Sequence, residues 1–311
     1  MLAEKIPEQK METEYNIPEM LEIETSMLDL AKKMKSELIA GEYDYIISDE
    51  KTARIPSLIM KRVMEELYPD KKISILHIAA GRKFYPILEI AAGQSKPIGI
   101  DQAQAQEIRD AVQKALRKYV KPNVKNKALV VTEHIHSGNS IRALNQTMAE
   151  AEIDFDIAAM ESMISEKFVP RGDAKVFIGD IHVDSDNPLI AKAVEYAGVD
   201  KGDKYLPFPE LYSKTVLAKG KEFTAEQEAI LKQAGEFTED EYGEYVSAQT
   251  PERRAELKKQ KDQRWSEMYN ILQKQSKNIS PEDLQKLRQK INQTRQDIKT
   301  MAKKIATELK V

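Results

Sequence analysis

The residues with the clearest chemical potential lie between positions 128 and 141. Four apolar residues, Ala-Leu-Val-Val, are followed by an acid, Glu133, and then by Ser-Gly-Asn-Ser. Hydroxyl groups, a flexible glycine backbone and the free N–H groups at a helix start are suited to holding a phosphate. Glu133 is placed to accept hydrogen bonds from sugar hydroxyl groups, and an ordinary helix N-cap is the alternative for the turn. The candidate phosphate cradle consists of Ser137, Gly138, Asn139 and Ser140.

Cationic side chains follow two other apolar runs. Lys51 and Arg54 come after the first run, and Arg82 and Lys83 come after the second. Positive charge at such places can stabilise a pyrophosphate group. A solvated surface cation is the alternative for each of the four residues.

Alternating strand-type and helix-type segments must position these groups. Apolar runs rich in β-branched residues indicate strands, and apolar positions three and four apart indicate helices. We predict strands at 43–48, 73–78, 128–131, 156–160 and 175–183, and helices at 25–40, 54–67, 101–119, 139–151 and 188–197. Because this alternation requires crossover connections, the predicted fold class is α/β with a doubly wound, mostly parallel sheet. Ligands bind at the carboxyl ends of the strands in such sheets.

The segment at 128–141 resembles the phosphoribosyl-pyrophosphate motif of type I phosphoribosyltransferases. In that motif a hydrophobic strand is followed by two acids and then by Thr-Gly-x-Thr. Thr132 and Glu133 fill the two acid positions, so a hydroxyl replaces the first carboxylate, and 137–140 fill the Thr-Gly-x-Thr positions. The resemblance extends in the order of elements over residues 25–200. It implies the phosphoribosyltransferase-like form of the α/β fold.

The resemblance also implies a reaction and a set of ligands. It implies a phosphoribosyltransferase that binds phosphoribosyl pyrophosphate with Mg²⁺ and transfers the phosphoribosyl group to a nucleobase or related acceptor. Glu133 would be the metal ligand, and Glu133, Arg82 and Lys83 would be catalytic. The implied residues for binding phosphoribosyl pyrophosphate are Thr132, Glu133, Ser137, Gly138, Asn139, Ser140, Lys51 and Arg54.

Three other parts of the implied site are less specific. The family's pyrophosphate loop would correspond to residues 46–54, which lack its glycines, and its mobile catalytic loop to 81–97. The resemblance implies Lys167, Phe168 and Asp184 as substrate-binding residues, and the acceptor stays open.

All four histidines lie at or near predicted strand ends. With Glu133 and Asp184 they form an alternative candidate metal site, although the chain has no His-x-x-x-His pair. We favour other roles for them, and His136 could instead help to hold a phosphate. The four are His77, His134, His136 and His182.

The net charge of −3 over 311 residues is the sum of two unlike parts. Residues 251–311 carry 16 Lys and Arg against 8 Asp and Glu, so residues 1–250 have a net charge of −11. We predict a weakly ordered lead-in at 1–24, the phosphoribosyltransferase-like domain at 25–215, a helical linker at 216–250 and a basic helical hairpin at 251–311. Apolar residues repeat in heptads after position 284 and predict a coiled-coil seam against a helix at 251–276.

Composition excludes several functional classes. The absence of cysteine excludes disulfides, thiolate zinc sites and a cysteine nucleophile, and it suits a cytoplasmic protein. No apolar run approaches the roughly 18 residues of a membrane span, so we expect no membrane partner.

Two alternatives to the enzyme remain open. One is a non-catalytic regulatory protein that binds a phosphorylated sugar or nucleotide, and the other is a nucleic-acid-binding protein acting through the hairpin. The hairpin could also form a homo-oligomer, bind another protein or dock on the acidic body.

Overall fold

Short apolar segments pair into one parallel sheet in a computed structural model of the chain. The structure describes residues 15–49, 52–78, 87–91, 94–99, 127–135, 152–162, 174–184, 186–198, 205–206, 221–234, 237–248, 250–275 and 277–311, together with residues 110, 113, 114, 117, 144 and 148. The strands are β1 Tyr45–Asp49, β2 Ser74–Ile78, β3 Ile87–Ala91, β4 Gln94–Gly99, β5 Lys127–Ile135, β6 Asp154–Ser162, β7 Val176–Ile178, β8 Tyr205–Leu206, β9 Lys221–Glu222 and β10 Lys277–Asn278.

Several helices begin or end at recognisable local signals. A Pro follows the N-cap Ser280, whose hydroxyl accepts a hydrogen bond from the backbone N–H of Asp283, and Gly41 ends a helix with a φ of 65°. Thr238 and Glu241 form a capping box at the start of another helix. The helices are α1 Met20–Lys33, α2 Lys35–Ala40, α3 Arg54–Leu67, α4 Pro188–Ala191, α5 Ala193–Ala197, α6 Ala225–Ala234, α7 Glu239–Ser247, α8 Pro251–Gln275 and α9 Pro281–Lys310.

The order of the strands places a switch point between β1 and β5. The main sheet has the order β7-β6-β5-β1-β2-β8, and all of its neighbouring pairs are parallel. From β1 the chain first adds β2 on one side and then β5, β6 and β7 on the other side. This arrangement confirms the predicted α/β class with a parallel sheet. Open α/β sheets bind ligands at such a reversal, outside the carboxyl ends of the strands.

Strand β5 is longer than the sequence predicts. We predicted a strand at 128–131, whereas the pairing with β6 continues through Thr132, His134 and Ile135. The polar residues Thr132, Glu133 and His134 interrupt the apolar pattern, but Thr132 and His134 keep their partners in the register with β6. The first residues of the candidate motif are therefore held in the sheet. In the opposite direction, the strand predicted at 175–183 is only Val176–Ile178.

Helices cover both faces of the sheet. One core contains Ile46, Leu129 and Val131 with residues of α1, α3, α5 and α9. The other core contains Ile47, Val130 and the helical residues Leu144 and Met148. These two apolar layers fix the strand ends relative to one another.

The second half of α9 belongs to the main core. Ile298, Met301 and Ile305 are buried in the cluster that also holds α1 and α3 residues. The Nζ atom of Lys304 lies 2.6 Å from a carboxylate oxygen of Glu24 in α1. The sequence predicted that this seam packs against a helix at 251–276, and the structure places it against the body. A heptad stripe shows that one helix face is buried, but it does not identify the covering element.

Helices α6 to α8 pack with one another through polar and aromatic contacts. Arg264 in α8 makes two hydrogen bonds of 2.5 and 2.9 Å with the carboxylate of Glu241 in α7. These bonds lower the pKa of Glu241 to about 2. Nε of Arg264 also donates to the carbonyl of Ala234 in α6 at 3.4 Å, and Tyr269 of α8 lies edge-on to Phe223, just before α6, with 5.7 Å between the ring centroids. The predicted domain boundaries at 216 and 251 stay predictions.

Candidate functional site

Two polar side chains meet at the switch point. Asp49 ends β1, and Thr132 lies in β5 beside it. The Thr132 hydroxyl donates a hydrogen bond to Oδ2 of Asp49 at 3.4 Å, and both residues are buried. Residue 132 occupies the first acid position of the motif that the sequence resembles. A carboxylate is therefore present next to that position, although the neighbouring strand supplies it.

A row of alternating carboxylate and imidazole groups crosses three neighbouring segments. Within β5, Nε2 of His134 lies 2.9 Å from Oε1 of Glu133. Nδ1 of His134 lies 3.1 Å from Oε2 of Glu161, its partner in the parallel register of β6. The same oxygen lies 2.6 Å from Nδ1 of His182, which follows β7. The row runs from the buried Glu133 to the exposed His182.

The carboxylates around His134 favour its protonated form. The hydrogen bond with Glu133 is the largest cause that raises the pKa of His134 above its ordinary value of 6.5. Burial acts in the opposite direction, and the negative charges of Glu133 and Glu161 raise the pKa further. An imidazolium ring has a proton on each nitrogen, so it matches the two carboxylates on its two sides.

Arg54 is a buried cation and not the solvated surface cation of the alternative interpretation. It is the first residue of α3, its side chain is fully buried, and Nη1 lies 2.9 Å from Nε2 of the buried His77 in β2. Because a guanidinium group has no acceptor and keeps its protons, Nε2 accepts this hydrogen bond. The register pairs His77 with Ser48, the residue before Asp49 in β1.

Asp184 is held in a turn against α1. Its backbone N–H donates to Oε1 of Glu22 at 2.7 Å, and its carboxylate accepts from the backbone N–H of Asp186 at 2.9 Å. Its predicted role in substrate binding stays a prediction. The other predicted site residues lie outside the described residues: Lys51, Arg82, Lys83, Ser137, Gly138, Asn139, Ser140, Lys167 and Phe168, together with His136.

Sequence reasoning missed Asp49 and Glu161. Asp49 lies one residue beyond the predicted first strand, and Glu161 lies one residue beyond the predicted fourth strand. Position alone, immediately after a predicted strand in a parallel sheet, was the signal available for both residues. In the part of the chain that the structure describes, no group of three or more His, Asp or Glu side chains is arranged to hold a metal ion.

Many cations of the basic segment are engaged within the chain. In α8, Arg253 contacts Glu244 and Glu256, Arg254 donates to the carbonyl of Ala248, and Lys261 lies over the ring of Phe237. In α9, Lys290 lies 3.6 Å from the ring centroid of Tyr196, and Arg295 donates to the carbonyl of Ala197 at 2.9 Å. Part of the net positive charge therefore serves internal packing.

Comparisons with known proteins do not place the chain in a family. No family model matches it, and it has no match among curated proteins or solved structures. Among the described helices, none is long and apolar enough to cross a membrane.

Proposed function

We propose that this protein binds phosphoribosyl pyrophosphate with Mg²⁺ at the β1–β5 switch point and transfers the phosphoribosyl group to a nucleobase or related acceptor. The observation that carries the proposal is the contact of Asp49 with Thr132 near the carboxyl ends of these two strands, with the buried Glu133 as the next residue of β5. The motif resemblance selects the same place from the sequence. A doubly wound sheet binds ligands there for reasons of topology alone.

Asp49 compensates for the missing acid of the motif. The first acid position holds Thr132, whose hydroxyl contacts Oδ2 of Asp49. We expect the carboxylate of Asp49, beside Thr132, and that of Glu133, the next residue of β5, to serve the ribose hydroxyl groups and a cation. This arrangement supports retention of a working site despite the substitution in the motif.

The donor set at this site fits a hard cation. Mg²⁺ prefers oxygen ligands, and proteins commonly hold it with one or two carboxylates, water and the phosphates of the substrate. Asp49 and Glu133 provide carboxylate oxygens, and both are buried. Bound Mg²⁺ would supply charge neutralisation for the pyrophosphate group.

The reaction requires displacement at C1 of the ribose. A nucleophilic atom of the acceptor forms a bond to C1 while the C1–O bond to pyrophosphate breaks. The electron pair of the broken bond leaves with pyrophosphate, and a proton leaves the acceptor. Positive charge near the pyrophosphate lowers the barrier to this departure. Arg54, which is buried at the start of α3, is a candidate for this task, and Lys51, Arg82 and Lys83 remain candidates as well.

A binding measurement tests the first part of the proposal. Ligand that binds only the folded state raises the melting temperature, and a concentration 100 times the Kd stabilises the protein by about 2.7 kcal/mol. We expect phosphoribosyl pyrophosphate with Mg²⁺ to raise the melting temperature of the wild type and to have little effect on Glu133→Gln or Ser137→Ala/Ser140→Ala. Glu195→Gln, an exposed change in α5, is the matched control and should respond like the wild type. The absence of a shift in the wild type would contradict the proposal.

Pyrophosphate release tests the second part. The wild type should release pyrophosphate from phosphoribosyl pyrophosphate only when a suitable base from a panel is present. Asp49→Asn should lower this rate at least about tenfold, because one of the two carboxylates becomes neutral. Release that Asp49→Asn leaves unchanged would exclude Asp49 from the site.

A non-catalytic binding protein is the second candidate. The contact between Glu133 and His134 favours it, because a protonated imidazole engages one oxygen of the carboxylate that the reaction needs. Binding of phosphoribosyl pyrophosphate with no pyrophosphate release for any acceptor would select this candidate.

A further inference from the structure

Between Gln285 and Lys303, one exposed face of α9 carries cations and amides but no acid. Most successive positions on this face are three or four residues apart, which places the set on one side of a helix. Asp283, Asp297 and Glu308 lie at other angles around the helix axis, and Glu282 lies one turn before Gln285 on the same side. We call the following set the α9 face: Gln285, Arg288, Gln289, Asn292, Gln296, Lys299 and Lys303.

Three cations of the α9 face have no partner within the described part of the chain. Arg288, Lys299 and Lys303 are exposed, and none of their side chains makes a described hydrogen bond or ion pair. This distinguishes them from the neighbouring Lys290, Arg295 and Lys304, whose side chains contact the body. The body-facing cations hold α9 in place, and the outward-facing cations are available to a partner.

The first half of the α9 face lines an open groove. Its volume is about 510 Å³, and Arg288 is the charged residue among its described lining residues. The remaining lining residues carry amide groups, which both donate and accept hydrogen bonds. They are Asn16, Gln285, Gln289, Asn292, Gln293 and Gln296.

We propose that the α9 face binds a nucleic-acid duplex. Cations neutralise phosphates, and amides reach both phosphate oxygens and the mixed donors and acceptors of base edges. An acidic protein segment offers mainly carboxylate acceptors, so it matches the amide groups less well. The described lining residues include no aromatic ring for base stacking, which favours a duplex over a single strand. This surface is separate from the β1–β5 switch point and does not depend on the function proposed there.

The test is a titration of fluorescent DNA and RNA duplexes of about 20 base pairs at low salt, followed by anisotropy. The wild type should bind at least one duplex, and Arg288→Gln/Lys299→Gln/Lys303→Gln should bind it at least about tenfold more weakly, with a salt slope lower by about three. The matched control Lys35→Gln/Lys259→Gln/Lys274→Gln changes three exposed lysines elsewhere and the net charge by the same amount. The control variant should retain most of the affinity, because we propose that the three cations of the α9 face contact the duplex directly and that the net charge of the protein contributes little.

Three results would overturn the proposal. The first is no binding of either duplex by the wild type. The second is equal weakening by the two triple variants, which would indicate a general charge effect. The third is displacement of the duplex by polyglutamate at the same charge concentration. Equal melting temperatures of both variants and the wild type establish that any loss of binding is not a loss of folding. Glu133→Gln should leave duplex binding unchanged, which separates this test from that of the proposed function.

Discussion

The two edges of the parallel sheet hold their charged groups in different ways. At the amino edge, the buried Asp156 carboxylate contacts Nζ of Lys127 at 2.6 Å and the hydroxyl of Tyr43 at 2.8 Å, and it accepts from the backbone N–H of Lys175 at 2.8 Å. Glu42 lies 2.8 Å from the same Lys127 nitrogen. Opposite charges are paired there, and most of the hydrogen-bonding capacity of Asp156 is used within the chain.

At the carboxyl edge, groups of a ligand can replace the hydrogen-bond partners of the carboxylates. Asp49, Glu133 and Glu161 are carboxylates that lie near hydroxyl and imidazole groups, and the hydrogen bond with Glu133 raises the pKa of His134 above its ordinary value. A cation or a sugar hydroxyl can replace such partners. The difference teaches that the amino edge contributes to stability, whereas the carboxyl edge keeps groups that a ligand can engage. Substitutions at the two edges should therefore separate stability from binding.

The largest expected effect belongs to Asp156→Ala. Removing one member of a buried ion pair leaves the other charge uncompensated, at a typical cost of 3–5 kcal/mol. Because Lys127 keeps Glu42 and is partly exposed, we expect a loss of about 3 kcal/mol in the free energy of unfolding, measured by urea denaturation. The exposed Asp186→Ala is the control and should change this free energy by less than about 0.5 kcal/mol. A loss below about 1 kcal/mol for Asp156→Ala would contradict the stabilising role of the amino edge.

Tyr43→Phe should have an intermediate effect. The buried hydroxyl donates to the Asp156 carboxylate, and burial with this negative neighbour strongly raises the pKa of Tyr43. A hydrogen bond to a charged group contributes about 1.5–3 kcal/mol, and we expect the lower end because Asp156 keeps its other partners. Urea denaturation measures the loss, with the exposed Tyr242→Phe as the control. Neither Tyr43→Phe nor Tyr242→Phe should alter the affinity for phosphoribosyl pyrophosphate. An altered affinity in Tyr43→Phe would show that the amino and carboxyl edges of the sheet are coupled.

The sequence predicted the bounds of the helices better than it predicted which elements pack against each other. Helix α3 has both predicted bounds, because the apolar spacing of residues 54–67 and the following polar turn define it locally. The start of α9 follows from Ser280 and the proline after it. The packing of α9 on the body could not be predicted, because Ile298 and Ile305 define a buried face without naming its neighbour. That neighbour depends on contacts between segments far apart in the chain.

The site was predicted only in part, because some of its residues come together through contacts between segments that are far apart in the chain. Thr132 and Glu133 were identified from a local pattern, and the structure holds both at the end of β5. Asp49 became part of the site only through the pairing of β1 with β5, and Glu161 only through the register of β6. Single-sequence patterns carry no information on register. The amino-edge network was missed entirely, because Tyr43, Lys127 and Asp156 are distant in sequence.

The smallest expected effect on stability, and the most informative about the carboxyl edge, belongs to His134→Gln. Contacts with Glu133 and Glu161 raise the pKa of His134 in the folded state above its unfolded value of 6.5. Protonated His134 therefore stabilises the fold fully below pH 6.5, and this contribution is lost as pH rises through the folded-state pKa. The wild type should be more stable than His134→Gln at pH 5.5 and close to it at pH 9, as urea denaturation at several pH values would measure. His182→Gln, which alters the exposed end of the same row, should reproduce less of this pH dependence. A difference between the wild type and His134→Gln that stays constant with pH would show that the imidazole acts by packing alone, and the carboxyl edge would then resemble the amino edge.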